Sequence, residues 1–188
     1  MSDFYVQCEQ WHTADKFREH LAKHSPLVAP WVEGVVIHHT WRPEVRHWRG
    51  RTTFDGIVNY YKAKVPKWNS APHLFIVDGS PDPKNDGIWQ MTPLNIMGTH
   101  AGAWNRTHWG IEVVGNYDAS HWTPRTKELV YDAVLILFAW RNIQVTRQSV
   151  VGHRETGSRK SCPGKLINMN TVRSELQQRQ GGNRNVTK

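Results

Sequence analysis

The sequence predicts a single α/β domain in which a central mixed β-sheet is flanked by helices. Short β-branched apolar runs alternate with stretches of helical periodicity along most of the chain. At 188 residues the chain is long enough to bury one core. No internal repeat and no linker composition divides it.

Taken in order, "TADKFREHL" from Thr13 reads as a short capped helix with Phe17 and Leu21 on one face, ended by Pro26 and Pro30. "GVVIHHT", Gly34 to Thr40, is a buried strand. Thr52 to Val65 is helical, with Ile57, Tyr60 and Tyr61 as its expected buried side and Pro66 as its stop. "HLFIVDG", His73 to Gly79, is a second buried strand, and "GIWQMTP" is the return strand of a hairpin across the loop "SPDPKND". "HWGIEVVGNYD", His108 to Asp118, is a third strand with a Gly-Asn turn. Thr123-Pro124 supplies an N-cap and a first helical position for the longest helix, to about Trp140. Leu129, Val130, Ala133, Val134 and Leu137 fall on its core side. Val150-Val151 is a short strand, a last helix follows Pro163, and the polar chain from Gln177 is expected to fray.

Composition narrows the function classes. Hydrophobic content of 38% with 21% charged residues fits a globular protein rather than a disordered one. The first 24 residues are polar and mixed in charge, so no secretory h-region is read there. No run approaches the roughly 18 apolar residues of a membrane span. Two cysteines cannot build a disulfide framework. The net charge of +8 is concentrated: Trp41 to Lys67 carries seven Lys/Arg against two acids, and Arg141 to Lys165 six against one. A basic face attracts nucleic acid, anionic membrane or an anionic cell-wall polymer, and charge alone does not choose among them or exclude a merely solvated face. Ten tryptophans suggest that some line a groove, where aromatic faces stack on sugars and bases alike.

The segment "VVGHRETGSRKSCPG", Val150 to Gly164, places a His and a Cys nine positions apart. They share no helix face, but Gly157 and Ser158 allow a loop to fold between them so that both can serve one site. A catalytic zinc site takes three protein ligands and leaves one position open. The best third donor is "IHHT", where a strand end holds a ligand rigidly. His38 and His39 point to opposite faces, and alternation does not say which one enters the site. Against this stands the plain reading of a small buried Cys among eleven histidines. There is no H-E-x-x-H and no C-x-x-C, which argues against a nucleobase deaminase.

"VVIHHT", "SAPHLFIVDG", "GIWQMTP", "HAGAWN", "GIEVVGNYD" and "GHRETGSRKSCPG" occur in the order and spacing of the zinc-dependent N-acetylmuramoyl-L-alanine amidases. The chain resembles this type 2 amidase family, which includes phage endolysins and shares its fold with the peptidoglycan recognition proteins. The resemblance runs over about 70% of the chain, from Gly34 to Gly164. It implies an amidase catalytic domain over 31–178, with an N-terminal helical extension at 1–30 and a flexible basic tail at 179–188. It also implies Zn2+ held by His38, His153 and Cys162, with His39 on the opposite face. The implied reaction is hydrolysis of the amide between N-acetylmuramic acid and L-alanine of bacterial peptidoglycan.

Amide hydrolysis needs a polarised carbonyl, a base for the attacking water and a donor for the oxyanion. Glu112 is the candidate base, a carboxylate inside an apolar strand, where an unpaired charge is costly. The plain alternative is an edge-strand Glu facing solvent. Some relatives place a Tyr just before the His of the second strand; here Pro72 precedes His73, so Glu112 carries the role. Lys160 lies two residues before Cys162, as the catalytic Lys does in related phage amidases, and this resemblance makes it the candidate oxyanion stabiliser, with Arg159 as the substitute and a solvated loop cation as the alternative to both. His73 and His100 resemble histidines that contact substrate or support the metal; for His73 a satisfied structural histidine is an equal alternative. Asn105 is expected to order the loop of His100; Trp41 and Trp104 are candidates to line the sugar groove, against the plain alternative that each is a core residue.

Two other classes remain in view: a peptidoglycan-binding module without catalysis, and a nucleic-acid binder using the basic face. The first typically loses the Cys ligand, which is present here. No nucleic-acid motif accompanies the second. The expected protein is a monomer with no membrane span. Without an export signal it is expected in the cytoplasm of the producing cell, reaching the wall after release as an endolysin does. A recycling enzyme acting on wall fragments would stay inside, but the basic surface favours whole anionic wall.

Overall fold

The computed structural model describes residues 4–64 and 67–184. Six strands form one sheet in the order β1-β4-β3-β5-β2-β6. They are β1 Glu9–Trp11, β2 Gly34–His39, β3 Leu74–Val77, β4 Gly87–Gln90, β5 His108–Val113 and β6 Val150–Gly152. β3, β5, β2 and β6 run parallel, β4 returns antiparallel to β3, and β1 lies antiparallel to β4. The sheet is mixed, as expected. β2 and β3 are covered on both faces, which is why their sequences read as unbroken apolar runs.

On one face, Val35, Ile37, Ile76, Ile111 and Val113 meet three helices. α1 (Ala14–Leu21) brings Phe17 and Leu21, α3 (Pro124–Arg141) brings Val130, Val134 and Leu137, and α4 (Met169–Arg184) brings Leu176. Thr123 caps α3 by accepting the Thr126 N–H at 2.9 Å and ties its start to the Asp78 carboxylate at 2.6 Å. On the other face, α2 (Arg51–Lys62) packs Phe54 and Val58 against Phe75, Trp48 and Trp89. A separate small cluster of Val36, Val151 and Ala101 lies under Trp104. His38 and Glu112, paired across β2 and β5, belong to neither apolar patch.

Three elements differ from expectation. α2 buries Phe54 and Val58, while Ile57 and Tyr61 are half-buried and Tyr60 is 55% exposed. The helix sits over β3 and β4, so its tyrosine side overlooks a groove instead of the core. The expected stop at Pro66 falls outside the described residues. β1 is not legible as a strand, because its three residues "EQW" form one only by pairing with β4. It joins Glu9–Trp11 of the N-terminal segment to the sheet, ahead of the helix α1 (Ala14–Leu21). α4 does not fray at Gln177. Gln177 donates to Val145 O at 3.1 Å, and Gln180 donates to Ile143 O at 2.9 Å and accepts the Val145 N–H at 2.8 Å. Residues 185–188 of the expected tail lie outside the described residues. Among the described residues no helix is long and apolar enough to cross a membrane.

Phe17 is fully buried between α1, Trp11 and the sheet, with its ring centroid 4.9 Å from that of Trp11. Phe17→Ala is expected to cost about 3–5 kcal/mol in urea unfolding. An unchanged unfolding midpoint would show that the N-terminal segment is not part of the cooperative core.

Candidate metal and catalytic site

The C-terminal ends of β2, β5 and β6 open into a groove of about 1370 Å³. Ligand crevices of open α/β sheets lie at this end of the strands. β2 delivers His38, whose side chain is 2% exposed, and β5 delivers Glu112 directly opposite. His153 opens the short 3-10 turn His153–Thr156 that follows β6. Cys162 returns to the same point from the loop beyond, with its Sγ 3.7 Å from His38 Nδ1. Ligand atoms of His38, His153 and Cys162 all lie within 4.8 Å of one another. His39 faces away from His38: its Nδ1 accepts the Tyr117 N–H at 3.2 Å, while its own backbone N–H donates to Cys162 Sγ at 3.3 Å.

The loop bearing Cys162 is braced on both sides. The Arg154 N–H donates to Cys162 O at 2.7 Å, and the Arg154 guanidinium donates to Ser161 O at 3.2 Å and Gly164 O at 2.7 Å. The Asp118 carboxylate accepts from Ser161 Oγ and Lys165 N, each at 2.7 Å. The turn bearing His153 is held by Glu155, which accepts the Gly152 N–H at 2.8 Å and two bonds from the buried Arg173 at 2.9 and 3.0 Å.

Burial dominates the electrostatics. It pushes the Glu112 carboxyl up to about 8, against a smaller opposing pull from Lys160. Glu112 Oε2 is shielded from water and has no hydrogen-bond partner, and Oε1 stands 3.9 Å from His38 Nδ1. Burial also holds the His38 imidazolium well below the usual histidine range, reinforced by His100 and His153. It raises the Cys162 thiol, as does the Glu112 charge beside it. Two imidazoles, a thiol and an orphaned carboxyl around one point suit a divalent cation with an open coordination position.

A family model described as N-acetylmuramoyl-L-alanine amidase matches residues 28–165. The chain belongs to this amidase family. Peptidoglycan-recognition protein SC2 of Drosophila simulans is 28% identical over 144 residues, covering 74% of this chain and 72% of the relative. The fold is similar to that of the N-acetylmuramoyl-L-alanine amidase LysC from Clostridium intestinale, with a TM-score of 0.59 at 23% identity over 78% of this chain and 85% of that one. It is also similar to a mutant of Drosophila PGRP-LB in complex with tracheal cytotoxin, with a TM-score of 0.57 at 17% identity over 88% of this chain and 85% of that one.

Within this amidase fold, Lys160, His100 and Asn105 line the groove, and Trp41 stands 53% exposed at its rim. Asn105 Oδ1 accepts the N–H groups of His100 at 3.0 Å and Ala101 at 2.7 Å, which orders that loop. Two of the expected substrate contacts are not at the groove. His73 is fully buried: its Nδ1 accepts the Gly110 N–H at 3.0 Å and its Nε2 donates to Ile96 O at 2.9 Å, so it joins β5 to the loop after β4. Trp104 packs over Val36, Ala101 and Val151, with its ring 4.7 Å from that of His108. Sequence reasoning missed Arg154, which reads as one more basic loop residue beside His153. It also assigned Tyr61 to the core, whereas Tyr61 lines the groove and has its phenol pushed up by burial and by Glu112.

Burial lowers His73 to about 4, partly offset by its bond to Ile96 O. The unfolded chain, with an ordinary histidine near 6.5, therefore binds the proton more readily between these values. The stability from neutral His73 is complete above about pH 6.5 and is lost as pH falls towards 4. We expect His73→Gln to remove on the order of 3 kcal/mol of the difference in unfolding free energy between pH 7 and pH 4. Urea unfolding at the two pH values reads this, and an unchanged difference would contradict it.

Proposed function

We propose that this protein is a zinc-dependent amidase that cleaves the bond between N-acetylmuramic acid and L-alanine in peptidoglycan. The observation that carries the reading is the meeting of His38, His153 and Cys162 beside an orphaned Glu112 on the floor of one groove. A ligand set of two imidazoles and one thiolate fits zinc, and the unsatisfied Glu112 oxygen fits a partner beside it. When bound, zinc would polarise the scissile carbonyl and acidify a water. Glu112 takes the proton of the attacking water and returns it to the departing amine of the alanine. Its location on a rigid central strand keeps it aimed at the groove floor. Lys160, on the loop just before Cys162, offers its ammonium to the oxyanion of the tetrahedral intermediate. Trp41 provides an exposed aromatic face for a sugar ring at the rim.

The basic balance of the chain favours the intact anionic wall over small fragments, which supports a lytic role after release from the producing cell. The similarity to peptidoglycan-recognition proteins supports a second reading, a wall-binding domain without catalysis. Cys162 weighs against it by completing the ligand set.

The purified protein should carry one zinc per chain. Its digest of peptidoglycan should yield stem peptides with a free L-alanine amine, read by mass spectrometry. Cys162→Ala should lose both zinc and activity while still binding muropeptide. Glu112→Gln should keep zinc and lose about 10²–10⁴-fold in kcat. A fully active metal-free protein, or products still joined at the muramoyl–alanine bond, would sink the reading.

A further inference from the structure

His100 faces the groove, yet both of its ring nitrogens are already engaged. Nε2 lies 3.1 Å from His108 O. A carbonyl only accepts, so Nε2 carries a proton and a neutral His100 has a bare Nδ1. That Nδ1 lies 3.1 Å from His38 Nε2. The His38 proton must then sit on Nε2, which leaves His38 Nδ1 as the nitrogen with a free lone pair. Nδ1 is also the nitrogen that faces Cys162 Sγ at 3.7 Å and Glu112 Oε1 at 3.9 Å. The reverse polarity would require a doubly protonated His100, a cation placed between the rings of His38 and His73.

The His100 ring is itself held from two sides. Asn105 Oδ1 fixes its backbone N–H. Beneath the ring lies Gly110, where an added Cβ would come within 2.6 Å of His100 Cγ. The two imidazoles meet edge to face at 90° with centroids 5.2 Å apart, so the bond sets the plane of His38 as well as its proton.

We propose that His100 is a positioning residue: the chain from His108 O through His100 to His38 Nε2 fixes the His38 tautomer and presents Nδ1 to the metal. This rests on the metal-site reading above. A ligand histidine whose other nitrogen is held this way is oriented before the metal arrives, and losing the support typically costs 10–100-fold in affinity. It also removes His100 from direct recognition of substrate, because neither nitrogen is free to bond to it.

The test is zinc affinity by chelator competition, together with the absorption of the cobalt(II)-substituted protein, for wild type and three variants. His100→Ala should bind zinc 10–100-fold more weakly. His100→Asn places Oδ1 where Nδ1 was and should keep most of the affinity. His100→Gln reaches towards His108 O but offers no acceptor at the Nδ1 position, so it should fall with Ala. Thermal melting of the metal-free proteins controls for folding, and if Ala fails to fold the Asn–Gln contrast decides. Wild-type affinity in Ala or Gln, or an Asn variant as weak as Ala, would overturn the proposal. A wild-type protein that binds no zinc would overturn the metal-site reading instead.

Discussion

Cys162 reaches His38, 124 positions earlier in the chain, because the segment after β6 is held in one shape. Arg154 supplies much of that hold. It lies between His153 and the loop, and it satisfies the backbone carbonyls at 161, 162 and 164 of a turning chain that has no ladder partners of its own there. Charge-assisted bonds of this kind are stronger than neutral ones, and one planar guanidinium serving several carbonyls leaves the loop little freedom. Asp118 performs the complementary task from the other side, accepting from 161 and 165. The geometry of the His38–His153–Cys162 cluster is thus a property of its supports as much as of its members.

The cluster sits where the sheet would otherwise be apolar, and every shift expresses that cost. Glu112 is driven towards its neutral acid, His38 towards neutral imidazole and Cys162 towards the thiol. Each is the form that a low dielectric prefers. A divalent cation among them reverses the preference for the thiol and the carboxyl, because its charge favours their anions. His38 needs no reversal, since a ligand imidazole must be neutral. The same burial would leave the histidines in the neutral form that coordination of a cation requires.

Much of the fold was legible in short patterns. The buried strands at β2, β3 and β5 announced themselves as β-branched runs, and α3 by Thr123-Pro124 followed by helical spacing of apolar residues. β1 was not legible, because "EQW" has no strand signal of its own and is ordered by β4. The buried side of α2 was misjudged because the tyrosines look apolar in sequence, yet they overlook a groove that exists only once the sheet is assembled. The extension of α4 past Gln177 depends on glutamines meeting the backbone at 143 and 145, a contact that no local pattern encodes.

The sequence alone, with its resemblance to a known family, pointed to the residues that meet in the cluster, His38, His153 and Cys162, and to the central carboxylate Glu112. Those residue types are chemically rare within apolar strands and beside Pro-Gly turns, so their identity carries information wherever they stand. The tertiary structure decided the assignments that depend on direction. It turned His38 inward and His39 towards Tyr117, made His73 a buried strut between two backbone groups, laid Trp104 over Val36, and set His100 against His38. These are distinctions between side chains of the same or similar chemistry. What separates them is which backbone donor or acceptor lies within about 3 Å, and that is settled only when distant segments pack.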